Sequence, residues 1–182
     1  MANMPPANGS KNIRGGLAGD PEAFATLVKE NQKMVFAVAF RMTGSVADAE
    51  DLTQETFLRA SQHLDGFRAQ SKFSTWVCQI AVNLGLNWRA RESRRGAVHI
   101  KWAEDLDSAG RPGSFPDELS QRVQDALNKL PAKQRAAIVL TIYENQSHAE
   151  AAKILNCSEA TVSWRVFAAR RKLKRLLKGI LP

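Results

Sequence analysis

The sequence predicts an all-α protein made of two small helical domains joined by a flexible linker. Apolar residues recur at spacings of three and four along most of the chain, and no period-2 alternation bounded by hairpin turns interrupts them. Around 96–117 that period dissolves among Gly110, Pro112, Gly113 and Pro116, with four acids against two bases, the composition of a linker. A length of 182 residues suits two domains, each with a modest core.

The elements follow in order. Residues 1–19 are rich in Gly, Asn and Pro without an apolar period and read as a disordered leader. Asp20 can cap a first helix, Pro21 suits its first turn, and Phe24, Leu27, Val28, Val35, Val38 and Met42 mark its buried face. Gly44 breaks it, and Ser45 with Asp48 has capping-box form, starting a second helix that buries Val46, Ala49, Leu52, Phe57 and Ala60 and runs to about His63. Leu64 to Ser71 reads as a loop. Phe73, Trp76, Val77, Ile80, Ala81, Leu84 and Trp88 mark a third helix that ends in the basic cluster Arg89, Arg91, Arg94 and Arg95. This first domain spans 20–95, the linker 96–117 and the second domain 118–182. In the latter, Leu119, Val123, Ala126, Leu127 and Leu130 share one helix face, and Pro131 opens a helix with Ile138, Val139, Leu140 and Ile142.

Net charge is +8, which favours polyanionic partners, nucleic acid first. Residues 1–95 carry 12 bases and 9 acids, 96–117 carry 2 and 4, and 118–182 carry 12 and 5, so the excess sits in the second domain. No apolar run approaches the roughly 18 residues needed to cross a bilayer, and the first twenty residues lack a signal-peptide core. A cytoplasmic protein is expected. Cys78 and Cys157 lie in different domains and suggest neither a disulfide nor a metal site. His63, His99 and His148 are scattered, and no Gly-rich phosphate loop or nucleophile with an obvious base appears. The reading is therefore of a protein that is not an enzyme, with no metal, cofactor or small-molecule substrate.

The information concentrates in two places. Ser147-His148-Ala149-Glu150 has capping-box form and starts a short helix through Leu155. Asn156 can take the left-handed cap, and Ser158 can cap the next helix. That last helix turns Val162, Val166, Ala169 and Leu173 inward. Thr161, Ser163, Trp164, Arg165 and Phe167 project near its start, followed by Arg170, Arg171 and Lys174. A helix-turn-helix motif reads DNA in this way, early residues at base edges and bases on phosphates. Capped helix pairs also occur without that role, and basic residues complement a helix's own C-terminal dipole. With Leu130-Pro131-Ala132-Lys133-Gln134-Arg135 upstream, the stretch resembles the fourth conserved region of the extracytoplasmic-function, group IV, RNA polymerase sigma factors. The resemblance implies that these residues, Thr161, Ser163, Trp164, Arg165, Phe167, Arg170, Arg171 and Lys174, grip the minus-thirty-five promoter element. Ala160, Ser163 and Ala168 stand where the family often has a glycine and two bases, and Trp164 and Phe167 offer apolar contacts to thymine methyls instead.

Upstream, Asp48-Ala49-Glu50-Asp51-Leu52-Thr53-Gln54-Glu55-Thr56-Phe57-Leu58-Arg59-Ala60 resembles the second conserved region of the same family. Asp48, Asp51, Glu55, Arg59 and Gln62 form a polar face opposite the apolar one, free to meet a partner. By resemblance Asp51, Gln54, Glu55 and Leu58 dock on the clamp coiled coil of core RNA polymerase, and the flap of the same enzyme is a second expected contact. The loop with Asp65, Phe67 and Arg68, then Asn83, Arg89, Arg91, Arg94 and Arg95, would bind the minus-ten element, a flipped base in the loop pocket and arginines on phosphate. Phe73, Trp76, Ile80 and Leu84 read as core. The resemblance thus implies a sigma-2-like bundle and a sigma-4-like helix-turn-helix domain, with core polymerase, promoter DNA and an anti-sigma factor as partners. The competing reading is a stand-alone helix-turn-helix regulator, which leaves the acidic motif unexplained.

Overall fold

A computed structural model of the chain describes residues 21–64, 67, 72–99 and 118–178, with side chains 95–99 and 118 excepted. The leader, the Asp20 cap, Asp65, Arg68, the side chain of Arg95 and the linker beyond residue 99 lie outside the described residues. Among the described residues the regular structure is helical: α1 Pro21–Thr43, α2 Val46–Gln62, α3 Phe73–His99, α4 Glu118–Asn128, α5 Ala132–Ile138, a π-helical turn Val139–Tyr143, α6 His148–Ile154 and α7 Glu159–Leu176.

The breaks lie where the backbone chemistry demands them. Gly44 sits at φ +81°, a left-handed conformation that costs glycine little, and its N–H closes α1 on the Phe40 carbonyl at 2.7 Å. Ser45 then caps α2, its Oγ accepting from Asp48 N at 3.3 Å. At α6 both arms of the expected capping box form: Ser147 Oγ accepts from Glu150 N, and Ser147 N donates to Glu150 Oε2 at 2.8 Å. Asn156 takes the left-handed conformation at φ +46°, and Ser158 caps α7 through Thr161 N at 3.2 Å.

Two features differ from the sequence reading. Helix α3 continues to His99, past Gly96, because one glycine weakens a helix without breaking it. The helix opened by Pro131 relaxes into a π-helical turn at Val139–Tyr143, which sequence periodicity does not signal.

In the first domain α1 packs on both α2 and α3. Gly85 permits the closest part of that packing, since a Cβ there would lie 2.8 Å from the Cβ of Met42. Phe67, 5% exposed, joins Phe73 and Trp76 in an aromatic cluster with centroids 5.0–6.0 Å apart. In the second domain α5, α6 and α7 pack around Ile138, Leu140, Ala151, Ile154, Val162, Val166 and Ala169. One continuous buried cluster runs through both domains, from Leu27, Val35 and Val38 to Leu127, Leu130 and Val139. The cores therefore meet across a seam of α1 and α3 against α4 and α5.

Candidate nucleic-acid interface

Helix α7 separates its two tasks by face. Val162, Val166 and Ala169 are buried. Trp164 and Phe167 are 63% and 65% exposed, an unusual position for two large aromatic side chains. Around them Ser163, Arg170, Arg171 and Lys174 are exposed and Thr161 and Arg165 half-buried. All the proposed readers thus lie on one helix. Three are held by neighbours: Thr161 Oγ1 is 2.9 Å from Ser158 Oγ, Arg165 Nη1 donates to Cys157 Sγ at 3.4 Å, and Ser163 Oγ meets a histidine of the preceding helix. Sequence reasoning missed His148. It stands at the start of α6, exposed, with Nδ1 2.8 Å from Ser163 Oγ, so it belongs to the same surface. Its place directly after the Ser147 cap was the available signal. Glu150 is pulled below the usual carboxylate range by the Ser147 side-chain and backbone hydrogen bonds.

On the first domain, α2 presents Asp51, Gln54 and Leu58 to solvent, with Leu58 53% exposed despite being apolar. Glu55 is half-buried and accepts from Arg59 Nε at 2.7 Å, one turn on. Asp48 is tied inward, its Oδ1 accepting from Trp88 Nε1 at 3.1 Å, so it braces α2 against α3. Asn83, Arg91 and Arg94 are exposed along α3. Phe67, in contrast, points into the core, and Arg89 is half-buried with Nη2 donating to the carbonyl of Asn128 at 3.1 Å. Burial lowers the Arg89 pKa, partly countered by Glu92.

At the seam Arg135 is fully buried. Its Nη1 donates to the Met42 carbonyl at 2.7 Å, while Nε and Nη2 have no partner. Burial, with the Arg89 charge added, pushes its pKa down to about 9, leaving it charged at neutral pH. Arg41 lies 4.1 Å over the Tyr143 ring and 3.9 Å from Glu144, whose own pKa is raised by burial against the pull of Arg41. Among the described residues no group of three or more His, Cys, Asp or Glu could hold a metal, and no helix is long and apolar enough to cross a membrane.

Residues 27–95 match the Sigma-70 region 2 family, and residues 120–173 match Sigma-70, region 4. The chain is 33% identical to the ECF RNA polymerase sigma factor SigW of Bacillus subtilis, over 93% of this chain and 97% of that protein. It is 34% identical to the ECF RNA polymerase sigma-E factor of Escherichia coli K12, over 90% and 91%. Among solved structures it resembles the sigma factor RpoE in complex with the anti-sigma factor NepR from Bartonella quintana, with TM-score 0.69, 28% identity and coverage of 86% and 97%. It also resembles CnrH in complex with the cytosolic domain of CnrY, at TM-score 0.69, 28% identity and coverage of 93% and 97%.

Proposed function

The chain belongs to the extracytoplasmic-function RNA polymerase sigma factors, which direct transcription initiation, and we propose that it does so through four contacts made by its two domains, 20–95 and 118–182. The observation that carries this division of labour is the exposure of Leu58 on α2 and of Trp164 and Phe167 on α7, apolar side chains that packing does not require to be outside. Asp51, Gln54, Glu55 and Leu58 form the dock for the polymerase clamp coiled coil, and the second domain meets the flap. Asn83, Arg89, Arg91, Arg94 and Arg95, with the Asp65–Arg68 loop, hold the opened minus-ten strand. Phe67 contributes from the core, its ring buried against Phe73 and Trp76. Trp164 and Phe167 meet thymine methyls of the minus-thirty-five element, Thr161, Ser163 and Arg165 sit beside them, and Arg170, Arg171 and Lys174 neutralise phosphates.

No bond is made or broken by the protein in this scheme. Each contact is weak alone, and the tether between the domains makes the second contact intramolecular once the first has formed. The site of action is the cytoplasm, where polymerase and promoter reside. RpoE was solved with the anti-sigma factor NepR and CnrH with the cytosolic domain of CnrY, and an anti-sigma factor is proposed as this chain's partner too.

The test is transcription-start mapping with purified core polymerase, this protein and fragmented genomic DNA. Discrete starts that depend on the protein and share two upstream elements are expected. Tight duplex binding without any dependent start would instead establish a stand-alone regulator.

A further inference from the structure

Between α6 and α7 the helix-turn-helix carries a bridge that its core does not need. His148, the first residue of α6, and Ser163, in the second turn of α7, are both exposed, yet Nδ1 and Oγ stand 2.8 Å apart across 15 positions of sequence. The two helices are already joined beneath by Ala151, Ile154, Val162 and Val166, all buried. An exposed hydrogen bond adds little to that, because water satisfies both groups once it breaks. What the bridge changes is the hydroxyl of Ser163, which stands beside the exposed Trp164 and one turn before the exposed Phe167.

A serine hydroxyl has one hydrogen to give and two lone pairs to receive with, and it rotates to suit its partner. Alone it fits a donor or an acceptor on a base edge and so distinguishes bases poorly. With the ring in place, one of those roles is taken. An imidazole whose Nδ1 lacks a proton accepts the hydroxyl hydrogen, which leaves only lone pairs facing outward, fit for the amino group of cytosine or adenine. An imidazolium carries a proton on both nitrogens, so Nδ1 donates, the hydroxyl accepts, and its hydrogen is free for O6 or N7 of guanine or O4 of thymine. Cytosine offers only a donor in the major groove and guanine only acceptors, so the two states favour opposite orientations of a C·G pair.

The charged and titratable groups around the ring are of other kinds. Glu150 and Lys153 share α6 with it. From α7 come Glu159, one turn before Ser163, Arg170, two turns beyond it, and Arg165, which is held by Cys157. The π-helical turn brings Tyr143, and Lys72, just ahead of α3, acts on Glu150. Side chains of these classes ordinarily change charge outside about pH 5.5–7.5, the range in which a histidine does so.

We propose that His148 and Ser163 read one base pair of the minus-thirty-five element as a unit. His148 is a positioning residue that sets the direction of the Ser163 hydrogen bond, and its protonation inverts the base preference there. The base reading rests on the function proposed above; the bridge does not.

The experiment binds the full chain to duplexes carrying the mapped minus-thirty-five element with each of the four base pairs at every position, by competition anisotropy at fixed salt, at about pH 5.5 and about pH 7.5. In the wild type one position should change its ratio of C·G to G·C binding by about tenfold between the two conditions, while the other positions hold their ratios. Ser163→Ala should lose about fivefold in discrimination at that position alone, at both pH values. His148→Asn, which keeps hydrogen-bonding groups but cannot ionise, should retain a preference there that no longer depends on pH. His148→Ala/Ser163→Ala should discriminate no worse than Ser163→Ala, as expected of residues acting through one contact. Both side chains are exposed, and unchanged helical circular dichroism checks that each variant is folded. A gain in affinity at the lower pH shared equally by all four base pairs is only added charge near phosphate and, with the ratios constant, overturns the unit. So does a pH-dependent ratio that survives in His148→Asn. Absence of any preference for the element over random duplex overturns the α7 reading and the unit together, whereas an intact preference with fixed ratios overturns the unit alone.

Discussion

Trp164 and Phe167 spend apolar surface in water at the start of α7, so their removal should separate recognition from stability. Trp164→Ala and Phe167→Ala are each expected to change the urea-unfolding free energy by no more than about 0.5 kcal/mol, as exposed substitutions do. Each should also weaken duplex binding at the minus-thirty-five element by about 1–3 kcal/mol, read by anisotropy at fixed salt. Cys78 shows the opposite environment. It is 1% exposed, and burial, with Glu144 adding, pushes its thiol up to about 12 from 9.0. A raised folded pKa contributes stability that is complete below pH 9 and is lost as pH rises from 9 towards 12, because the unfolded thiol ionises first. Cys78→Ala should therefore flatten the fall of unfolding free energy over pH 9–11 by up to about 1.4 kcal/mol per pH unit. Ellman's reagent at neutral pH should titrate the half-buried Cys157 quickly and Cys78 only on unfolding.

Among elements, the α1–α3 contact depends on a residue that looks unfavourable locally. Gly85 stands inside a long helix, where alanine would be preferred by about 1 kcal/mol. A Cβ there nevertheless meets the Met42 Cβ at 2.8 Å, and neither atom can rotate away. Gly85→Ala is expected to destabilise by about 1–3 kcal/mol through overpacking, less the helix gain, as a lower urea midpoint with unchanged m. Helix α2 offers the complementary case. Leu58→Glu places a charge where the side chain is already 53% exposed, so the fold should persist while affinity for core polymerase falls at least tenfold in a pull-down or interferometry titration.

For the whole molecule, the proposed division of two promoter elements between two domains predicts that their connection matters more than any single contact. Inserting a Gly/Ser stretch as long again as the linker should lower sigma-dependent transcription only a few-fold, since effective concentration falls slowly with tether length. Supplying the two domains as separate chains should cost about 100-fold or more, measured as run-off product at equal protein concentration. The seam is the counterpart of that tether. It brings Arg89 and Asn128, 39 residues apart in sequence, and Arg135 and Met42, 93 apart, into hydrogen bonds.

By itself the sequence determined where the helices start, the caps at Ser45, Ser147, Asn156 and Ser158, and the family. Ser45, Ser147, Asn156 and Ser158 act within a few residues of themselves, and the 3.6-residue period of Leu27, Val35, Val38, Val162 and Val166 reports which face is buried, so local chemistry made both legible. The same holds for the exposed Trp164 and Phe167, whose place on α7 follows from the faces of one helix. What only the tertiary structure decided is everything that depends on a distant neighbour. Phe67 turned inward because Phe73 and Trp76 offered it an aromatic pocket; Asp48 became a brace because Trp88 lies one helix away; His148 joined the exposed surface of α7 because α6 crosses α7 at Ser163. Above all, Arg135 and Arg89 became caps of another domain's helices. Periodicity cannot foresee such a role, since an orphaned carbonyl accepts whichever donor the fold delivers to it, and that delivery is a property of packing.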